Sequence, residues 1–232
     1  MADAPLLVGP VRPGERRAGR AVREAVRRHG YAVCHGRVAD WARAAGPAPD
    51  VAGLLGADLP RYRAAREPAV RERLVGSRVL LRWAVAAAGG TAPERVRLGR
   101  DGRGRPVVRA PSGLDAGLAH TADTLVVGVA CGRLIGVDVE ARNRSLLTLA
   151  GKICHPAELA ELRGLPPGER NARLLRLWTL KEAYTKALGV GLARDFTSLH
   201  TELLGADWWL GCGEAAGGLL VAVAVGPDGP GR

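Results

Sequence analysis

Two long stretches with helical apolar spacing, residues 69–88 and 169–188, each run into short strand-forming segments. In the first, Val70, Leu74, Val79, Leu80, Leu81 and Trp83 are the apolar positions, and Gly89-Gly90 stops the helix. In the second, Gly189 stands where a helix ends. Strands are expected at Arg97–Val108, as two short runs around a Gly- and Arg-rich turn. Thr124–Ala130 and Leu134–Glu140 read as a hairpin through Cys131-Gly132-Arg133. After the second helix, Thr197–Leu204, Trp208–Cys212 and Leu219–Val225 read as further strands. A chain whose helices and strands come in separate runs packs as an α+β fold with antiparallel sheets. The order helix-then-strands occurs in both halves, with no repeat visible residue by residue.

The rest of the chain is less regular. Residues 14–29 form a basic amphipathic helix with Ala18, Ala21, Val22, Ala25 and Val26 on one stripe. Tyr31–Cys34 is a short strand, and 44–60, rich in Ala, Gly and Pro, is a loop with at most a short helix. Pro156 opens a short helix that Pro166-Pro167-Gly168 ends. The boundaries that follow are 1–30 for a basic N-terminal extension, 31–132 for the first half, 133–226 for the second, and 227–232 for a tail.

Charge divides these halves sharply. Residues 1–110 hold 22 Arg and 10 acids, or +12, whereas 111–232 hold 9 Arg, 3 Lys and 13 acids, or −1. A basic half suggests a polyanionic partner. Aromatic residues are only 4 %, so the stacking platforms of a single-strand nucleic-acid binder are missing. No apolar run approaches the roughly 18 residues of a membrane span, and the first residues do not read as a secretory signal. Cys34, Cys131, Cys154 and Cys212 are scattered without a CxxC pair, which suits reduced thiols in the cytoplasm.

Chemistry concentrates in two places. In Ile135-Gly-Val-Asp138-Val-Glu140 a strand would turn Asp138 and Glu140 to one face and the valines to the other. Two carboxylates about 7 Å apart within an apolar run repel each other, and a hard cation such as Mg²⁺ relieves that repulsion while keeping phosphate as a further ligand. In Trp178-Thr-Leu-Lys181-Glu182-Ala-Tyr-Thr-Lys186-Ala-Leu-Gly189, a helix would place Trp178, Glu182 and Lys186 on one stripe. Two of the three lysines of the chain fall here, amid 31 arginines elsewhere. A compact ammonium can reach a phosphate as a point charge. His120, on a loop before a strand, and the arginines Arg61, Arg66, Arg71, Arg73, Arg78 and Arg105 are weaker candidates.

These segments resemble the Sfp-type 4′-phosphopantetheinyl transferases of the W/KEA subgroup. Gly136-Val137-Asp138-Val139-Glu140 is similar to that family's G-[IV]-D-x-E, and Trp178 to Gly189 to its W-x-x-K-E-A/S-x-x-K-x-x-G. Gly104-Arg105-Pro106 and Ala119-His120-Thr121 are similar to its G-[KR]-P and S-H-[ST] segments, with Ala119 in place of the serine and Gly117 where Asn is common. The resemblance covers roughly 58–225 and leaves the N-terminal 57 residues unmatched. It implies a pseudo-dimer of two similar α/β halves that binds coenzyme A between them. It also implies transfer of the phosphopantetheine arm to a serine of an acyl or peptidyl carrier protein, with release of 3′,5′-ADP. By position, Asp138, Glu140 and Glu182 would hold Mg²⁺. Glu182 and Lys186 would be catalytic, and Arg61, Arg73, Arg105, His120, Asp138 and Lys186 would bind coenzyme A. A cytoplasmic monomer serving polyketide or nonribosomal peptide synthesis is expected, with neither nucleic acid nor membrane as partner. The alternatives are a basic nucleic-acid-binding module and another Mg²⁺-dependent phosphotransfer enzyme. The latter would not be an NTPase, because GxxxxGK[ST] does not occur.

Overall fold

The computed structural model describes residues 7–191 and 194–228. In chain order, β1 (Leu7–Val8), α1 (Arg16–His29) and β2 (Tyr31–Arg37) are followed by α2 (Val38–Arg43), α3 (Val51–Leu55) and α4 (Leu59–Ala64). Then come α5 (Pro68–Gly89), β3 (Arg97–Arg100), β4 (Pro106–Ala110), β5 (Leu114–Thr121) and β6 (Thr124–Cys131). The second half holds β7 (Arg133–Ala141), α6 (Ala150–Ile153), α7 (Pro156–Gly164), α8 (Pro167–Ala187), β8 (Trp209–Ala215) and β9 (Leu219–Asp228). Proline at the first helical turn starts both long helices, where its missing N–H is no loss. Gly90, left-handed, closes α5.

The strands form a sheet of order β1-β2-β6-β5, a β3-β4 hairpin, and a second sheet of order β7-β9-β8. Apart from the parallel β1–β2 pair, every pairing is antiparallel. One unit recurs. β2, then α5, then β5 and β6 make a strand–helix–strand–strand unit whose third strand lies centrally in the sheet. β7, α8, β8 and β9 do the same.

Alternation along each strand assigns the layers. On β6, Leu125, Val127 and Val129 pack with Val22, Val26, Trp41, Leu80, Leu81 and Val85 from α1, α2 and α5. The intervening Val126 and Ala130 face Ile135, Val137, Val139, Val221, Val223 and Val225 of the second sheet. On β9, Ala222 and Ala224 turn the other way, onto Leu180, Ala183 and Tyr184 of α8. The layers therefore run helices, sheet, sheet, helix, and a valine-rich core lies between the sheets.

Several expectations are corrected. Thr124–Ala130 and Leu134–Glu140 do not form a hairpin, because the chain changes sheet at Cys131-Gly132-Arg133 and β7 pairs with β9. Buried Asp115 accepts the Ile135 N–H at 2.8 Å, so the start of β7 is tied to β5 by a side chain rather than a ladder. Residues 197–204 form no strand but two 3₁₀ turns, Phe196–Ser198 and Leu203–Ala206. Asp195 caps the first by accepting the Thr197 N–H, and the Thr201 N–H goes to Glu158. His120 sits within β5 and not on a loop. That strand, rich in Gly and Ala, lacks β-branched side chains before Thr121. Three short helical segments, α3, α4 and a 3₁₀ turn between them, occupy part of 44–64. The basic N-terminal helix is no appendage, since Ala18, Val22, Ala25 and Val26 are buried in the first core. Ala21, read onto that stripe, is exposed. Residues 1–6 and the end of the expected tail, 229–232, lie outside the described residues. Among the described residues no helix is long and apolar enough to cross a membrane.

Candidate active site

Glycine sets the distance between α8 and β7. A Cβ on Gly136 would stand 2.0 Å from the Ala183 carbonyl oxygen and 2.5 Å from the Ala187 nitrogen. Only a bare Cα admits that approach. On the opposite side, a Cβ on Gly117 would meet Ile135 and Gly136 backbone at 3.1 and 3.2 Å, which accounts for glycine there. Because Val137 and Val139 fill the inter-sheet core, Asp138 and Glu140 face α8.

On α8, Glu182 and Lys186 are one turn apart and meet Asp138. Lys186 Nζ lies 2.5 Å from Asp138 Oδ1 and 3.8 Å from Glu182 Oε2. Asp138 is 5 % exposed and Glu182 7 %. Asp138 Oδ2 and Glu182 Oε1 are buried with no hydrogen-bond partner. Such atoms are uncommon, because a buried oxygen without a donor costs free energy. Burial pushes the Asp138 carboxyl up to about 6 against the opposing pull of Lys186. Burial also raises the Glu182 carboxyl, again opposed by Lys186, while Glu140 adds repulsion at both.

Glu140, the third expected carboxylate, acts on the other two through its charge and is itself engaged elsewhere. Its Oε1 accepts the Trp178 Nε1–H at 2.8 Å and also pairs with Arg144. The Arg144 guanidinium in turn lies 5.5 Å from the Trp178 ring centre. Trp178, one turn before Glu182, thus orients the third carboxylate. Arg144 was not singled out from the sequence, where it is one arginine among 31.

A cationic group borders the carboxylates. The His120 ring is held below its usual range first by desolvation and then by the charges of Arg73, Lys186 and Arg61. Four of the residues expected to meet coenzyme A therefore share one electrostatic neighbourhood. Arg105 behaves differently. The residue is 9 % exposed, and its guanidinium engages both oxygens of Asp115, Nη1 to Oδ1 at 2.7 Å. Nη2 also donates to the Ile135 carbonyl at 3.0 Å and Nε to the Lys186 carbonyl at 3.3 Å. The donors of Arg105, expected to meet a phosphate, are engaged within the protein here.

Lys181, the other lysine of the motif, points away from the carboxylates. Fully buried, it donates to Glu158 Oε2 at 2.6 Å and to the carbonyls of Ile153 and Phe196 at 2.7 and 3.0 Å. It fixes α8 to α6, α7 and the segment after α8. Among the other arginines of the first half, Arg78 is buried in an ion pair with Asp58, which Arg100 shares. The thiols of Cys34 and Cys212 are pushed up to about 12 by burial, so neither is a nucleophile.

Paired, partnerless carboxylate oxygens suit a hard cation. Mg²⁺ takes one or two carboxylates together with phosphate oxygens, and the donor chemistry of Asp138 and Glu182 fits that demand.

Comparison with known proteins gives a family likeness over the same part of the chain. Residues 134–207 match the family model described as the 4'-phosphopantetheinyl transferase superfamily, a span that contains β7 and α8. The chain is 34 % identical over 151 residues to the 4'-phosphopantetheinyl transferase HetI of a Nostoc species, covering 62 % of this chain and 64 % of that one. It is 27 % identical over 130 residues to a 4'-phosphopantetheinyl transferase of Bacillus subtilis, covering 56 % and 57 %. A phosphopantetheinyl transferase of a Thraustochytrium species is 31 % identical over 172 residues, covering 67 % and 60 %. The chain thus spans less than two thirds of the length of the relatives it matches.

Proposed function

We propose that the chain is a member of the 4′-phosphopantetheinyl transferase superfamily that it resembles, and that it moves the phosphopantetheine arm of coenzyme A onto a serine of a carrier protein. The serine Oγ forms a bond to the phosphorus that bears the pantetheine arm. The P–O bond of the diphosphate breaks, and 3′,5′-ADP leaves. The serine proton passes to a base, the role we assign to Glu182. The observation that carries this reading is the pair of buried, partnerless oxygens on Asp138 and Glu182, placed beside the Lys186 ammonium.

Asp138 and Glu182 would hold Mg²⁺, and Glu140 would join through the oxygen that Trp178 and Arg144 leave free. When bound, the ion supplies charge neutralisation at the diphosphate and at the leaving group. Lys186 adds a positive charge to the same end of the substrate. Arg61, Arg73 and His120 form the cationic border expected for its phosphates. Arg105 acts as a positioning residue: locked on Asp115, it holds the carbonyl of Lys186 and hence the end of α8. The strand–helix–strand–strand unit that occurs twice supports a pseudo-dimer of two similar halves. Carrier domains of polyketide or nonribosomal peptide synthases are the acceptors that the motif resemblance favours.

The test is direct. Incubation with coenzyme A, Mg²⁺ and several apo carrier proteins should add one phosphopantetheine mass to a carrier, read by intact mass spectrometry. Asp138→Ala and Glu182→Ala should each abolish the adduct while leaving the circular dichroism spectrum unchanged. An adduct that forms at the wild-type rate in either variant would overturn the assignment, as would no adduct with any carrier.

A further inference from the structure

Outside the site just described, α7 and the segment after α8 bring a second set of ligand-type atoms together. Glu161, His200 and Glu202 each present one donor atom, and the three atoms lie within 4.8 Å of one another. A buried node fixes this meeting. Glu158, 1 % exposed and one turn before Glu161, accepts the Thr201 N–H at 2.9 Å and the Thr201 hydroxyl at 2.8 Å on Oε1. Its Oε2 takes Lys181 Nζ at 2.6 Å and the His155 N–H at 2.9 Å. Thr201 is flanked by His200 and Glu202, so clamping Thr201 onto α7 delivers both neighbours to the turn that carries Glu161.

Two further observations concern the imidazole. His200 Nδ1 is buried with no hydrogen-bond partner, although nearly all buried polar atoms have one. The His155 ring packs edge-on against the His200 ring with centres 5.0 Å apart, which restricts its rotation. Around it, two carboxylates converge, and among the described residues one ion pair answers them: Arg173 with Glu161 Oε2 at 3.1 Å.

We propose that Glu161, His200 and Glu202 form a second metal site, for a divalent ion of the zinc type. An imidazole with two carboxylates selects Zn²⁺, Co²⁺ or Ni²⁺ over Mg²⁺, which prefers oxygen ligands alone. Ligand atoms at about 2.0–2.2 Å from a tetrahedral zinc ion stand about 3.3 Å apart, so the trio closes by at most about 1.5 Å. Glu161 and Glu202, both exposed, can do so by side-chain rotation. The ion would staple the segment after α8 to α7, over the buried Glu158–Lys181 pair. This inference is independent of the transfer reaction.

Titration of the full chain with Co²⁺ tests it, because an imidazole–carboxylate site gives visible ligand-field absorption. One equivalent should bind with that spectrum, and Zn²⁺ should displace it. The spectrum should persist in an Asp138→Asn, Glu182→Gln background. It should vanish in His200→Ala, and the affinity should fall at least tenfold in Glu161→Gln and in Glu202→Gln, with both variants keeping the wild-type circular dichroism spectrum. Zn²⁺ should raise the Tm of the wild type but not of His200→Ala. A Co²⁺ spectrum that survives His200→Ala, or one lost with Asp138→Asn, would overturn the site. So would the absence of a one-to-one complex in the Asp138→Asn, Glu182→Gln background.

Discussion

Lys186 places its ammonium against the two carboxylates proposed to hold Mg²⁺. One positive charge there both lowers the repulsion between Asp138 and Glu182 and competes with a cation for their oxygens. Lys186→Gln should therefore bind Mn²⁺ about tenfold more tightly in the absence of coenzyme A, a change of about 1.4 kcal/mol. The same variant should bind coenzyme A more weakly. Free Mn²⁺ followed by electron paramagnetic resonance reads the first effect, and unchanged Mn²⁺ affinity would refute the competition. Arg105 leads to a different kind of expectation. Its removal strands buried Asp115, and breaking a buried ion pair from one side costs about 3–5 kcal/mol. Arg105→Ala should lose that much in denaturant unfolding, and the double variant with Asp115→Ala should lose less. The carboxylates were legible in the sequence because they interrupt apolar runs at strand and helix spacing. The partner of Arg105 was not, because Asp115 lies on a strand whose Gly- and Ala-rich composition hides it.

At the scale of elements, the approach of α8 to β7 decides whether the site exists. Gly136→Ala would force a methyl group into the Ala183 carbonyl. Overpacking of this kind typically costs about 1–3 kcal/mol, occasionally more, and here the relief must come from moving α8. Thermal unfolding should show a clear drop in Tm, and transfer should fall further than stability does at a temperature where the variant remains folded. A variant with wild-type Tm would show that the helix is free to withdraw. The long helices were readable from their spacing and their proline starts. The sequence suggests that β6 pairs with β7 because a three-residue link between two apolar runs looks like a hairpin turn. What overrides the turn is tertiary: β9, arriving some eighty residues after β7, takes the ladder that β6 would have used. Residues 197–204 depart from the strand their composition suggests for a related reason, since side chains of Asp195 and Glu158 take N–H groups a strand would offer.

For the molecule as a whole, the +12 of residues 1–110 is not spread evenly in function. Arg61 and Arg73 from the basic half act on His120 alongside Lys186 from the neutral one, whereas Arg78 and Arg100 answer Asp58 inside the fold. A substrate with several negative charges drawn toward exposed cations is screened by salt, with a Debye length of about 10 Å at 0.1 M. The KM for coenzyme A should rise with ionic strength, and more steeply than that for dephospho-coenzyme A, which lacks one phosphate. Parallel salt curves would remove the basic half from phosphate recognition. The valine core between the sheets has a consequence of its own. Each half lends one face to it and neither half can keep it dry alone. The two halves are thus less like neighbours than like the covers of a closed book. Cut at Gly132, each fragment would keep its full strand–helix–strand–strand unit and still be insoluble for want of the other. Made together in one cell, the fragments should find each other and restore the whole.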